Sequence, residues 1–129
     1  MSLIQNMILQ EMADADDFYC KDETIELWKI VVKLDNLLLC RARTVTLSIT
    51  FGLKLLIDTY FCYRNSDAKE LNEVRKKLDT AKQYKIWLLR KPCAELNIDY
   101  DNFNSKLTKW MQNINNWLPK PKLAIKSRS

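Results

Sequence analysis

Glycine and proline are nearly absent from this chain, which has one glycine, Gly52, and three prolines among 129 residues. Folds of this size that contain sheets reverse direction at several tight turns, and those turns commonly need glycine. A chain of long helices needs few of them. The shortage therefore predicts an all-α fold, and the length is enough for one domain with a sizeable core.

Positions 44–57, TVTLSITFGLKLLI, fit two kinds of secondary structure. Their apolar residues alternate with threonine and serine, as in a half-buried strand. They also form two apolar stripes at helical spacing, one through Val45, Ile49, Leu53, Leu56 and Tyr60 and the other through Leu47, Phe51 and Leu55. No other segment alternates and could pair with a strand. We therefore predict a helix over 43–64, with one apolar face against another subunit.

Three further apolar repeats predict three more helices. One covers 22–39, with acidic residues in its first turn, and one covers 67–91, where Asp67 and Glu70 have the spacing of an N-cap and its N3 partner. Asp99 or Asp101 is expected to cap the last helix, which prolines 119 and 121 close.

This order of segments predicts an antiparallel up-down four-helix bundle. We expect an N-terminal arm or short helix at 1–20, the bundle at 21–118 and a basic C-terminal tail at 119–129. No apolar run near 18 residues and no basic-then-apolar leader is evident, so a cytoplasmic protein is expected. The four cysteines have no CxxC spacing and are interpreted as reduced, buried residues.

Histidine is absent, which removes the commonest general base and metal ligand and every Ser-His or Cys-His arrangement. A single glycine cannot form a Walker loop, and no paired EXXH segments are present for a di-metal bundle. The carboxylates lie at helix starts and on polar faces, where capping explains them. We therefore expect no enzymatic activity, no metal and no cofactor.

Positive charge is concentrated in the later part of the chain. Residues 1–40 carry three basic and eight acidic side chains, a net charge of −5, while residues 41–129 carry eighteen and eight, a net charge of +10. Such a field favours a polyanion or an acidic partner surface, although a solvated basic surface would also explain it. The candidate binding residues are Arg41, Arg43, Arg75, Lys76, Lys82, Lys85, Arg90, Lys106 and Lys109.

Lys85 continues the apolar stripe of the predicted third helix, Leu78, Ala81 and Leu88. It either extends to water at the end of the bundle or is a cation held at a pore or subunit junction, paired with a carboxylate such as Asp58 or presented to phosphate. Aromatic residues beside lysines either complete the core and a subunit interface or stack nucleic-acid bases. The candidate interface residues are Leu47, Phe51, Leu55, Tyr84 and Trp87.

Four segments together resemble the accessory variability determinant (Avd) proteins of diversity-generating retroelements and, more distantly, the four-helix proteins encoded in ribosomal RNA intervening sequences. The segments are IELWKIVVKL, RARTVTLSITFGLKLLIDTYF, the ending YKIWLLR and FNSKLTKWMQNINNWL. Lys85 takes the place of the first arginine of the family's Leu-Arg-x-x-Leu-Arg segment, and Leu89 that of the second. Asn115 or Asn116 replaces a glycine common in the last helix.

The resemblance implies a ring-shaped homo-oligomer, a pentamer in the family, without catalytic activity. It implies that the ring binds a reverse transcriptase and its template RNA, with DNA as a second polyanion for the same surface, and supports mutagenic cDNA synthesis. The alternative is a phage- or plasmid-type adaptor, a protein–protein interaction bundle whose basic face meets an acidic partner.

Overall fold

The computed structural model describes residues 3–120, and within that range it consists of helices and connections without a strand. The all-α prediction is therefore confirmed. The elements are α1 (Leu3–Asp14), α2 (Lys21–Cys40), α3 (Thr44–Tyr63), α4 (Ala68–Ala81), a 3₁₀-helix (Ile86–Leu89), α5 (Arg90–Glu95) and α6 (Tyr100–Trp117). Of the predicted basic tail, residues 121–129 lie outside the described residues.

The helices α2, α3 and α6 begin and end close to the positions predicted from the sequence. The contested segment 44–57 is helical. Two predicted caps are also confirmed, because an Oδ1 of Asp67 accepts the backbone N–H of Glu70 at 3.1 Å and an Oδ1 of Asp99 accepts that of Asn102 at 3.1 Å. Each cap satisfies a backbone donor that the first turn of a helix leaves free.

The core lies between α2, α3, α4 and α6. Helix α2 packs against α3 and α6, and α4 packs against the same two helices from the other side. Trp110 is buried and donates its indole N–H to Oγ1 of Thr24 at 2.7 Å, which ties α6 to α2. The other large buried residues include Trp28, Leu34, Leu53, Leu56, Tyr60, Leu78 and Phe103.

The prediction of one continuous helix over 67–91 is wrong. Helix α4 ends at Ala81, and the chain then turns through 82–85 into the 3₁₀-helix and α5. Lys85 is consequently exposed outside α4, instead of continuing its apolar stripe. Leu89 is part of the core and is fully buried. Leu88, which belongs to the predicted stripe, is 37% exposed.

Pro92 fits the structure because α5 is a helix separate from α4. In a helix running through 67–95 it would lie in the interior, where its ring and its missing N–H break the hydrogen-bond ladder. Because α5 starts afresh at Arg90, Pro92 occupies the first turn, where proline is tolerated. The predicted helix 67–91 ended at the residue before this proline, whereas in the structure the proline lies within α5.

Two helices end on left-handed residues that are not glycine. Ala42 has φ of 52° after α2, and Asn97 has φ of 57° after α5. In both cases the next residue's N–H reaches back to the helix, from Arg43 to Leu38 O at 3.2 Å and from Ile98 to Cys93 O at 2.8 Å. This is the Schellman arrangement, which usually uses glycine. It explains how the chain turns with so little glycine.

Residues 3–14 form helix α1, which settles the choice between an arm and a short helix for most of that segment. Met12 is fully buried and the helix packs on α2. The cysteines only partly follow the prediction of burial. Cys93 is buried and Cys20 is partly buried, but Cys40 and Cys62 are exposed because they lie on the outer faces of α2 and α3.

Helix α3 is more apolar than the sequence analysis allowed. Its 20 residues are long and apolar enough to cross a membrane by length and composition alone, as are the core helices of many soluble proteins. In the structure 39% of its most apolar window is buried, along the face that includes Leu53, Leu56 and Tyr60. Its other face carries Val45, Phe51 and Leu55, which are exposed.

Candidate nucleic-acid interface

Six of the nine candidate basic residues have a carboxylate within ion-pair distance. Arg41 and Arg43 share Glu95, the latter at 3.2 Å, and Arg90 lies 3.8 Å from Asp101. Because the Glu95 side chain is only 21% exposed and accepts hydrogen bonds from both arginines, Arg41 and Arg43 are less available to a polyanion than the sequence suggested. The remaining pairs are Lys76 with Glu73, Lys82 with Asp79, and Lys106 with Glu26.

Arg75 and Lys82 converge on one neutral oxygen across the seam between α4 and α6. Oδ1 of Asn115 accepts an Nη1–H of Arg75 at 3.2 Å and an Nζ–H of Lys82 at 3.1 Å. Nη2 of Arg75 also donates to the carbonyl of Pro119 at 2.9 Å. Both cations are therefore oriented by hydrogen bonds to groups that do not cancel their charge.

Two cavities lie along this seam, on either side of the Arg75, Lys82 and Asn115 cluster. One has a volume of about 360 Å³ and is lined by residues that include Lys82 and Asn115. The other, of about 330 Å³, is lined by residues that include Lys69, Arg75 and Lys120. We call the two cavities and the cluster between them the α4–α6 groove.

The lining of the α4–α6 groove contains four cations and no carboxylate. Among residues 3–120 the one carboxylate within ion-pair distance of a lining cation is Asp79, whose Oδ1 lies 3.6 Å from the Lys82 ammonium and whose side chain is 58% exposed. A solvated pair of this kind screens the ammonium only weakly. The groove is therefore positive along its length, and an anion bound there would relieve the repulsion between Arg75 and Lys82.

The other candidate cations lie elsewhere. Lys85 and Lys109 are exposed and have no ion pair within residues 3–120. Among the described residues of this chain Lys85 forms no ion pair with Asp58, and the cation that acts on the Asp58 carboxyl is Lys54, one helical turn away on α3. The structure thus brings Arg75 and Lys82 together at Asn115, and Arg41 and Arg43 together at Glu95.

The candidate interface residues lie at or near the exposed face of α3. Phe51 is 55% exposed, Leu55 is 39% exposed and Leu47 is partly buried. Trp87, in the 3₁₀-helix, is 60% exposed, whereas Tyr84 is partly buried and burial raises the pKa of its hydroxyl. Val45 and Leu39 extend the exposed apolar surface; we call Leu39, Val45, Phe51 and Leu55 the α3 patch.

Sequence reasoning missed the polar side of the groove. Asn104, Thr108, Gln112 and Asn115 follow one another at spacings of four, four and three on α6, and all four line the larger cavity. This spacing was visible in the sequence as a neutral polar stripe beside the apolar one. Lys69 and Lys120 were not among the candidate residues either, since their neighbourhood depends on the packing of α4 on α6.

Comparisons with protein-family models, with curated proteins and with solved structures find no significant match. Among residues 3–120 no three His, Cys, Asp or Glu side chains lie close enough together to hold a metal ion. Any functional inference therefore depends on the geometry of the chain itself and on the resemblance described above.

Proposed function

We propose that this chain is a non-catalytic accessory protein that binds single-stranded RNA through the α4–α6 groove. The observation that carries the proposal is the cluster in which Arg75 and Lys82 are oriented by Asn115 in a groove lined without carboxylates. Phosphate contacts from lysine and arginine supply most of the affinity of sequence-independent RNA binding.

The resemblance to Avd proteins extends this proposal to a partner and an assembly. In that reading the chain is a homo-oligomer, a pentamer as in the family, that supports mutagenic cDNA synthesis by binding a cytoplasmic reverse transcriptase together with its RNA. Helices α2, α3, α4 and α6 would form an up-down four-helix bundle. The mutual contacts of these four helices and the exposed α3 patch support this extension.

Filter binding of a single-stranded RNA at increasing salt tests the proposal. If four groove cations contact phosphates, the logarithm of the association constant should fall with the logarithm of salt concentration with a slope of roughly −3, at about −0.7 per contact. Loss of RNA retention even at low ionic strength would contradict the proposal.

A second candidate is an adaptor that binds another protein and no nucleic acid. The α3 patch favours it, because Leu39 and Phe51 line one depression of the surface and a group of exposed apolar residues commonly marks a protein contact. A reverse transcriptase gene and a pair of near-identical repeats beside this gene would favour the accessory role, and their absence would favour the adaptor. RNA binding in the salt experiment separates the two directly.

A further inference from the structure

The larger cavity of the α4–α6 groove has a composition that simple phosphate binding does not require. Its floor is apolar, with Leu107 and Met111 of α6 and Ala81 of α4 all buried. Its volume of about 360 Å³ lies at the lower end of the range of about 300 to 1,000 Å³ that small-molecule sites occupy. A flat, partly apolar group would fill it better than a hydrated ion.

The rim of this cavity offers unused hydrogen-bonding groups. The side chains of Asn104, Thr108 and Gln112 form no hydrogen bond within residues 3–120, although all three line the cavity. Each amide has both a donor and an acceptor, and the hydroxyl can act as either. Such groups match the edge of a nucleobase, which also presents donors and acceptors side by side.

The cations lie at the end of this rim. On α6, Asn115 follows Gln112 by three residues, and its Oδ1 holds Lys82 and Arg75. A nucleotide with its base in the cavity would thus have a basic cluster beside it for its phosphate. A peptide with an acidic side chain could also contact these cations, and RNA is favoured over it by the rim amides, whose donors and acceptors match the edge of a base.

Resting on the proposed function, we propose that the larger cavity binds one unpaired base of single-stranded RNA, whose adjacent phosphate contacts Lys82 and Arg75. The protein would then read an unstacked base through neutral hydrogen bonds and hold the chain through charge, a division common in single-strand recognition. The bound class is a nucleotide within an RNA strand, as distinct from a bare polyanion.

The test changes only neutral residues, so that it distinguishes binding of the base from binding of the phosphate by cations. The variant Asn104→Leu/Gln112→Leu removes two rim amides, and the matched control Asn102→Leu/Asn116→Leu removes two exposed amides of α6 that line neither cavity. Affinity is measured for a fluorescently labelled single-stranded RNA and, in a parallel titration, for inorganic polyphosphate. Thermal unfolding followed by circular dichroism verifies that both variants fold.

The rim variant should bind RNA about tenfold more weakly, as expected for two lost hydrogen bonds of roughly 0.7 kcal/mol each, with polyphosphate binding and the salt slope unchanged. The control should bind both ligands like the wild type. Equal RNA affinity of the two variants, or an equal loss for RNA and polyphosphate, would overturn the base site and leave RNA binding in place. A wild-type chain that binds polyphosphate or an acidic peptide but no RNA would overturn both proposals.

Discussion

The Tyr84 side chain lies against the backbone of Gly52, so that a methyl group on Gly52 would be 1.9 Å from the Tyr84 hydroxyl oxygen. The only glycine of the chain therefore serves a close contact between α3 and the segment that follows α4. This contact also explains why α4 ends where it does, because the Tyr84 ring reaches α3 from the turn at 82–85.

Replacing Gly52 with alanine should change the free energy of unfolding in opposite directions in two backgrounds. In the wild type, displacement of Tyr84 should outweigh the helical preference of alanine and destabilise the fold by about 1 kcal/mol. In a Tyr84→Ala background the same change should stabilise it by up to about 1 kcal/mol. Urea denaturation of the four proteins measures both values, and equal effects in the two backgrounds would refute the contact.

A buried ion pair between α2 and α3 should be important for stability. Asp35 is nearly fully buried, accepts the Thr50 hydroxyl at 2.8 Å and lies 3.2 Å from the Lys54 ammonium. Lys54→Met would leave this carboxylate without its cation, at a cost of roughly 3 kcal/mol in chemical denaturation.

The double variant Asp35→Leu/Lys54→Met provides the control for this pair. Replacing both ions by apolar residues of similar size should restore most of the lost stability, since Thr50 can still donate to the Leu47 carbonyl. A double variant as unstable as Lys54→Met alone would show that the loss came from packing of the lysine chain.

Asp58 should make stability depend on pH. Its Oδ1 is buried without a hydrogen-bond partner among the described residues, and burial raises the pKa of this carboxyl to about 6 although Lys54 opposes the shift. The folded protein therefore retains this proton after the unfolded chain has released it. The contribution of Asp58 to stability is favourable below about pH 4 and is lost as the pH rises to about 6.

The variant Asp58→Asn removes this titration. Its gain in stability over the wild type should grow between about pH 4 and pH 6 and reach about 1 kcal/mol at pH 7, a value reduced for solvent screening because the carboxyl is only partly buried. Denaturation midpoints across this pH range give the difference. A difference independent of pH would contradict the assigned proton.

Self-association is expected to depend on the α3 patch. Phe51→Asp places a charge on this apolar surface and should convert the proposed oligomer into a monomer, as read by native mass spectrometry. Leu3→Asp is the matched control, because Leu3 is also exposed and apolar but lies on α1. A wild-type monomer at micromolar concentration would remove the argument for an assembly.

The helices that the sequence predicted correctly are those with local signals. Helices α2, α3 and α6 have apolar repeats, and α4 and α6 begin at aspartate caps that hydrogen-bond as expected. The break after Ala81 has no such signal, since it depends on the fit of Tyr84 against Gly52 and on the burial of Leu89. Both are contacts between segments distant in sequence.

The binding surface was predictable in its charge and not in its location. Net charge pointed to the later helices, but which cations remain free depends on tertiary neighbours such as Glu95, which takes up both Arg41 and Arg43. The role of Asn115 could not be predicted from the charge pattern, because its side chain is neutral. Its importance comes from the two donors that the packing of α4 on α6 brings to one oxygen.

The salt dependence of RNA binding by Arg75→Ala/Lys82→Ala tests the central claim most directly. Lys29→Ala/Lys33→Ala is the matched control, because it removes the same charge from exposed positions on α2. If both groove cations contact phosphates, the groove variant should bind more weakly with a salt slope shallower by about 1.4, and the control should keep the wild-type slope. Equal slopes for the two variants would contradict RNA binding through the α4–α6 groove.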